Sequence, residues 1–173
     1  MKSTQIKTTG TLITFLLATL VLFAANAQAQ NNPVTPCVVK IISHKEGDKV
    51  GENGTVRGTA SVPLDGYLWI MARKSSIGNQ WWPQAGGAVK PDDTTGEWEA
   101  EVFFGEPRDV ESNFDVVAVV VNQQTNKDLA KWFSSEQPNR NRPVRFPDSV
   151  SGCPIVRVRV TKQSRVQCRA GLR

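Results

Sequence analysis

Residues 97–104 read EWEAEVFF, and this stretch decides the fold class because apolar side chains occupy every second position and acidic ones stand between them as far as Glu101. The apolar set is Trp98, Ala100, Val102 and Phe104, and the acidic set is Glu97, Glu99 and Glu101. Successive side chains of a strand point to opposite faces, so a period of two indicates a β-strand. We expect this strand to place one face in a core and the other in water.

Five further runs have the composition of strands, and turn residues separate them. They cover residues 38–44, 55–60, 67–73, 114–121 and 155–162. Residues 67–73 and 114–121 are largely apolar on both faces, which is typical of central strands covered on two sides. In residues 125–133, Leu129, Trp132 and Phe133 recur at helical spacing. The pattern predicts an all-β sandwich with one short helix before the last strand, packed on the sheets because it is too short to be stable alone.

The first 29 residues have the composition of a cleaved secretory signal peptide. Lys2 and Lys7 give a positive start, residues 12–25 are uncharged and largely apolar, and residues 27–29 read AQA. A membrane anchor is the alternative, but spanning a bilayer takes about 20 apolar residues, which is more than this run supplies. We expect cleavage after Ala29, a periplasmic or extracellular location, and no transmembrane segment in the rest of the chain.

Cleavage leaves 144 of the 173 residues, a size that fits one domain with its own core. The predicted organisation is a signal peptide in residues 1–29, a sandwich domain in residues 30–162 and a basic tail in residues 163–173. Loss of Lys2 and Lys7 lowers the net charge from +5 to +3.

The positive charge is concentrated near the C-terminal end of the chain. The basic patch predicted there consists of Arg157, Arg159, Arg165 and Arg169. Such a patch can bind acidic groups or form a solvated surface. No nucleic-acid-binding motif accompanies it, so nucleic acid is not an expected partner.

Few residues have the chemistry of an active site. His44 is the single histidine, and neither a Gly-x-Ser-x-Gly motif nor a protease-like cysteine context accompanies it. The spacing of Glu97, Glu99 and Glu101 overlaps that of inverting glycosidases, but a solvated strand face also explains these residues. Asp92 and Asp93 can contribute to a calcium site, although a turn ending at Gly96 explains them equally. We expect no enzyme activity, no cofactor and no metal site.

The aromatic residues are the main candidates for ligand binding. Trp81 and Trp82, with Gln84 and Tyr67, form the predicted binding set. Flat apolar rings beside amides suit both sugar rings and peptides, whereas buried indoles stabilise a small domain. Exposure of the two indole rings separates ligand binding from packing.

Several stretches, taken in order, resemble bacterial immunoglobulin-like domains. They are IIS at 41–43, EGDKV at 46–50, TVRGTA at 55–60 and DDTTGEW at 92–98. An uncharacterised exported subgroup of these domains is similar in three further stretches, namely GYLW at 66–69, WWPQ at 81–84 and the Val-rich strand after Phe114. The resemblance covers residues 38–162 and implies an immunoglobulin-like antiparallel β-sandwich. The family is a scaffold for adhesion, spacing and ligand binding, so it implies no reaction. We expect a non-catalytic module in protein interaction or cell-envelope association, or alternatively a carbohydrate-binding module; its partner is then an unknown protein or an envelope polysaccharide.

Three cysteines follow the predicted cleavage site, namely Cys37, Cys153 and Cys168. An oxidising compartment favours a disulfide, and the residues by themselves leave all three pairings open. The resemblance implies a bond between Cys37 and Cys153, because the first and last strands of such sandwiches can run side by side in parallel. Cys168 then lies in the tail as an unpaired thiol, an intermolecular bridge or an alternative partner for Cys37.

Overall fold

The computed structural model describes residues 36–134 and 142–164. The predicted signal peptide, together with Arg165, Cys168 and Arg169, lies outside these residues. The described chain contains eight strands and one α-helix. In chain order they are β1 (Val38–Ile41), β2 (Lys49–Val50), β3 (Asn53–Ser61), β4 (Tyr67–Lys74), β5 (Trp82–Pro83), β6 (Glu97–Phe103), β7 (Asn113–Val121), α1 (Gln123–Ser134) and β8 (Val156–Lys162).

The strands form two sheets. The first has the order β1-β3-β6 and the second has the order β2-β8-β7-β4-β5. All neighbours are antiparallel except β2 and β8, which are parallel. The six predicted strands and the helix are present with ends shifted by a few residues. The two-residue strands β2 and β5 were not predicted, because two residues are too few to show a period.

The main core lies between the two sheets and contains side chains from both. The inward residues of β6 are buried while its glutamates are exposed, as the alternation predicts. The indole of Trp98 packs directly over Gly58: a Cβ built at Gly58 would lie 2.4 Å from that ring and 1.9 Å from the carbonyl oxygen of Lys40. Only glycine therefore permits this contact, which brings β1, β3 and β6 together.

A second apolar cluster covers the outer face of β4 and β7, where α1 packs on the sheet. Leu129 of α1 is buried in this cluster, and the ring of Phe133 stacks 5.9 Å from that of Trp69. The indole nitrogen of Trp69 donates a hydrogen bond to Asn126 Oδ1 at 3.0 Å. The helix begins after Asn122, whose Oδ1 accepts the backbone N–H of Thr125. This covering explains why two strands are apolar on both faces.

The structure confirms the disulfide between Cys37 and Cys153, whose Cα atoms are 5.0 Å apart. One detail of the expectation is wrong, because β1 does not pair with the last strand. After Ile41 the chain crosses from the first sheet to the second, and β2 is the strand that runs parallel to β8. The disulfide therefore joins a residue just before a strand of the first sheet to one that precedes a strand of the second.

Candidate functional site

The structure divides the four predicted binding residues among different places. Tyr67 lines a cavity of about 820 Å³, which is formed by the β3–β4 loop and residues 88–96. Trp82 and Gln84 line a different groove of about 730 Å³, at the edges of the two sheets. Trp81 lines neither space. The predicted set is therefore not one site.

Trp81 belongs to the second apolar cluster, where it is 4% exposed. Its backbone pairs with Val144, and its ring lies 4.9 Å from that of Phe146. The guanidinium carbon of Arg73 is 4.5 Å from the ring centroid, and the indole nitrogen donates to Asn79 Oδ1. Trp81 is therefore a packed residue, which is the alternative that was considered for it. This corrects the prediction that its ring is available to a ligand, because residues around 144–146 cover it.

Gln84 is buried, and its side-chain amide connects the two sheets. The amide nitrogen donates to the carbonyl of Trp82, and Oε1 accepts the backbone N–H of Phe103, each at 2.9 Å. These bonds tie β5, an edge strand of the second sheet, to β6, an edge strand of the first. The amide is thus used within the fold, and Gln84 also lines the groove beside Trp82.

The space beside Gln84 is the candidate binding site that combines several aromatic side chains with charged ones, and we call it the edge groove. Its apolar lining includes Ile77, Trp82, Pro83, Phe103 and Trp132, and its charged lining includes Lys74, Glu106, Arg108 and Asp109. Trp82 and Trp132 are half-buried, and Phe103 is 46% exposed. The indole nitrogen of Trp132 donates to the carbonyl of Arg142 at 3.0 Å.

Phe103 was missed among the candidates, although the sequence contains a signal for it. The outward face of β6 is acidic at three alternate positions, and Phe103 is the next position on that same face. One exposed apolar side chain is common on protein surfaces, so Phe103 gains meaning only from the other apolar side chains that line the groove with it. Trp132 lacks such a signal, because its helical spacing equally suits the core.

The rim of the edge groove, residues 105–109, is held in one conformation. The buried ammonium of Lys162 donates to the carbonyl oxygens of Gly105 and Glu106, each at 2.5 Å. Asp109 Oδ2 accepts the backbone N–H of Glu106 at 2.9 Å, and its Oδ1 lies 3.0 Å from Lys74 Nζ. Burial raises the pKa of Asp109, but the hydrogen bonds from Lys74 and Glu106 outweigh it and hold the pKa below its ordinary value. The rim is therefore charged and preorganised.

Two of the four predicted basic-patch residues, Arg157 and Arg159, surround a buried carboxylate. Arg157 Nη2 and Arg159 Nε lie 2.7 Å and 2.8 Å from Asp115 Oδ1, and Arg73 Nε lies 3.0 Å from Oδ2. Burial raises the pKa of Asp115, but hydrogen bonds from the three arginines outweigh it and lower the pKa below its usual range. We call these four residues the arginine cluster. The other predicted members, Arg165 and Arg169, lie outside the described residues.

The residues considered for catalysis or metal binding have local structural partners. His44 Nδ1 is 2.7 Å from Ser43 Oγ in the turn after β1. Asp92 Oδ1 accepts the backbone N–H groups of Thr94 and Thr95 in the predicted turn, and these bonds lower the pKa of Asp92. Within residues 36–134 and 142–164, no three His, Cys, Asp or Glu side chains are grouped as metal ligands. In the same residues no helix combines the length and apolarity needed to cross a membrane.

No protein-family model matches the chain, and no curated protein matches its sequence. The edge groove and the arginine cluster are therefore the features from which a function is inferred.

Proposed function

We propose that this chain is an exported, non-catalytic, immunoglobulin-like module that binds a partner protein through the edge groove. The observation that carries the proposal is the composition of the groove. Aromatic rings and charged groups of both signs line it together, and protein–protein contacts combine aromatic side chains with a polar rim in this way. Trp and Arg side chains of this kind are enriched among the residues that dominate binding energy.

The geometry favours a protein over a sugar. The carbohydrate alternative depends on a pair of exposed indoles beside free amides. Trp81 is buried, and the amide of Gln84 bonds Trp82 and Phe103, so a pair of exposed neighbouring indoles beside a free amide is not formed. The ion pairs Lys74–Asp109 and Arg108–Glu106 instead offer charged hydrogen-bonding groups of both signs.

The strand order supports the immunoglobulin-like assignment. An immunoglobulin domain packs strands A, B and E of one sheet against C, F and G of the other. Here β1, β3 and β6 face a sheet that contains β4, β7 and β8. The short β5 extends that second sheet at its β4 edge, and β2 extends it at its β8 edge.

Two features support export: the signal-peptide-like composition of residues 1–29 and the disulfide. Disulfides persist in oxidising compartments and are rare in the cytosol. The Cys37–Cys153 bond is therefore compatible with a periplasmic or extracellular location. The absence of catalysis is supported by the position of His44, the single histidine, which bonds Ser43 and does not line the edge groove.

The test compares two aspartate substitutions on immobilised protein. Phe103→Asp places a charge in the edge groove, whereas Leu64→Asp makes the same kind of change at a fully exposed leucine that lines the other cavity. Both variants are first checked for folding by near-ultraviolet circular dichroism. Proteins retained from an envelope extract are identified by mass spectrometry, and a panel of polysaccharides is tested in parallel.

We expect a partner protein that the wild type and Leu64→Asp retain and that Phe103→Asp loses. Binding should then be reproduced with the purified partner and weakened at least about tenfold by Phe103→Asp. Equal retention by all three proteins would show that the edge groove is not the contact. Polysaccharide binding that Phe103→Asp removes and Leu64→Asp leaves intact would establish the carbohydrate alternative instead.

A further inference from the structure

The arginine cluster lies on the outer face of the second sheet, and of its four residues only Arg73 also lines the edge groove. Arg73, Asp115 and Arg159 are direct neighbours across β4, β7 and β8, and Arg157 precedes Arg159 by two residues on the same face of β8. The strand register therefore brings all four side chains together, although they lie up to 86 residues apart in the chain.

The charges of the cluster are not balanced internally. Three guanidinium groups contact one carboxylate, which leaves a surplus of two positive charges. A single arginine can already satisfy a carboxylate with two parallel hydrogen bonds. Arg157 and Arg159 instead share one oxygen of Asp115, which holds two like charges close together on one strand face. Like charges in such positions repel each other, so a bound anion would relieve an existing cost.

The three arginines have different surroundings. Arg73 is 18% exposed, also donates to the carbonyl of Gly78, and stacks over Trp81, so it belongs to the packed base of the cluster. The side chains of Arg157 and Arg159 are 43% and 40% exposed. A guanidinium has five N–H donors, and each of these two spends one on Asp115. Their remaining donors are available on the exposed side.

One further carboxylate faces this region. Glu46 accepts the backbone N–H of Arg159 at 2.9 Å and adds to the negative charge near that side chain. When Glu46 is included, the net charge of the region is still +1, from three arginines and two carboxylates. The buried Asp115 acts as the anchor that fixes the two exposed guanidiniums side by side, so little rotamer freedom is left to lose on binding.

We propose that Arg157 and Arg159 form an anion site that takes a phosphate group. Arginine forks match the geometry of phosphate oxygens and donate to two of them at once. The phosphate can be inorganic or the headgroup of a phospholipid, since both present the same oxygens. Neither of these two residues lines the edge groove, although Arg73, which shares Asp115 with them, does.

The test is a titration of the whole protein at constant ionic strength, followed by NMR of the arginine Nε–Hε groups. The probes are inorganic phosphate and vesicles of phosphatidylglycerol, with phosphatidylcholine vesicles for comparison. Arg157→Gln/Arg159→Gln removes the site. Arg57→Gln is the matched control, because Arg57 is an exposed arginine that pairs with Glu99 on the other sheet.

We expect saturable shifts at Arg157 and Arg159 of the wild type, and binding weakened by roughly tenfold or more in the double variant but unchanged in Arg57→Gln. Saturation with phosphate alone identifies a small anion as the ligand, and binding only to anionic vesicles identifies a headgroup. No saturable shift with either probe overturns the proposal, as do equal shifts at Arg57. The wild-type titration decides the matter even if the double variant does not fold.

Discussion

Removal of the Cys37–Cys153 disulfide is expected to lower the free energy of unfolding by about 5 kcal/mol. The bond joins residues 116 positions apart, so it restricts most of the domain in the unfolded state. The chain-entropy model credits a loop of 15 residues with about 3 kcal/mol and a loop of 100 residues with about 4.7 kcal/mol. The loop that this disulfide closes is slightly longer than 100 residues, so the same model gives about 5 kcal/mol.

A smaller contribution comes from the folded state. Cys153 is buried at the edge of the main core, and alanine in its place removes one sulfur from that packing. This adds about 1 kcal/mol. Small domains have about 5–15 kcal/mol in total, so the variant should lie close to the limit of folding.

The measurement is urea unfolding followed by tryptophan fluorescence. Cys168→Ser is the background, because it prevents Cys168 from bridging two molecules and from competing for Cys37. Cys37→Ala/Cys153→Ala is added to that background, and the two proteins are compared with and without a reductant. The reduced background protein should resemble the variant, apart from the small packing term.

Two results would refute the reasoning. One is a loss below about 2 kcal/mol, which would mean that the unfolded chain is already compact. The other is a comparable loss in Cys168→Ser by itself, which would assign the stabilising bond to a different pair.

Three further substitutions test the packing. Asp115→Asn leaves three arginines without their buried carboxylate and should cost about 3 kcal/mol at neutral pH. The pKa of Asp115 is lowered in the folded state, so its stabilisation is present above the unfolded pKa of about 3.9 and is lost as the pH falls through the lower folded pKa. In urea unfolding from pH 7 to pH 2, the difference in free energy of unfolding between wild type and Asp115→Asn should therefore shrink. A difference that stays constant with pH would contradict this. Gly58→Ala places a Cβ 1.9 Å from the carbonyl oxygen of Lys40 and 2.4 Å from the Trp98 ring. We expect a loss of about 3 kcal/mol in thermal unfolding, and an unchanged melting temperature would argue against the close contact. Leu129→Ala should cost about 3 kcal/mol, because the buried leucine attaches the helix to the sheet, whereas a cost near zero would mean that α1 is not packed there.

Several features of the fold could be predicted because their causes are local. The period of two in residues 97–104 is a property of neighbouring residues, and it identified β6 and its buried face. The helical spacing of Leu129 and Phe133 likewise identified α1 and the face that packs. The disulfide pairing was different, since it came from a resemblance of the whole chain and not from any local pattern.

Parts of the candidate sites could not be predicted, because their causes connect distant residues. Trp81 is covered by Val144 and Phe146, which follow it by more than 60 positions. A tryptophan beside a proline shows the same local pattern whether or not such a segment covers it. Gln84 illustrates the same point, since its partner on β6 follows it by 19 residues.

The amino-acid sequence by itself determined the six longer strands, the helix and which of their faces are apolar, because these depend on side chains a few residues apart. Only the tertiary structure decided what those faces meet. It placed Phe103 beside Trp82 in one groove and joined Asp115 to arginines 42 and 44 residues away. The physical reason is that strand register and sheet order set long-range contacts, and many orders are compatible with one local pattern.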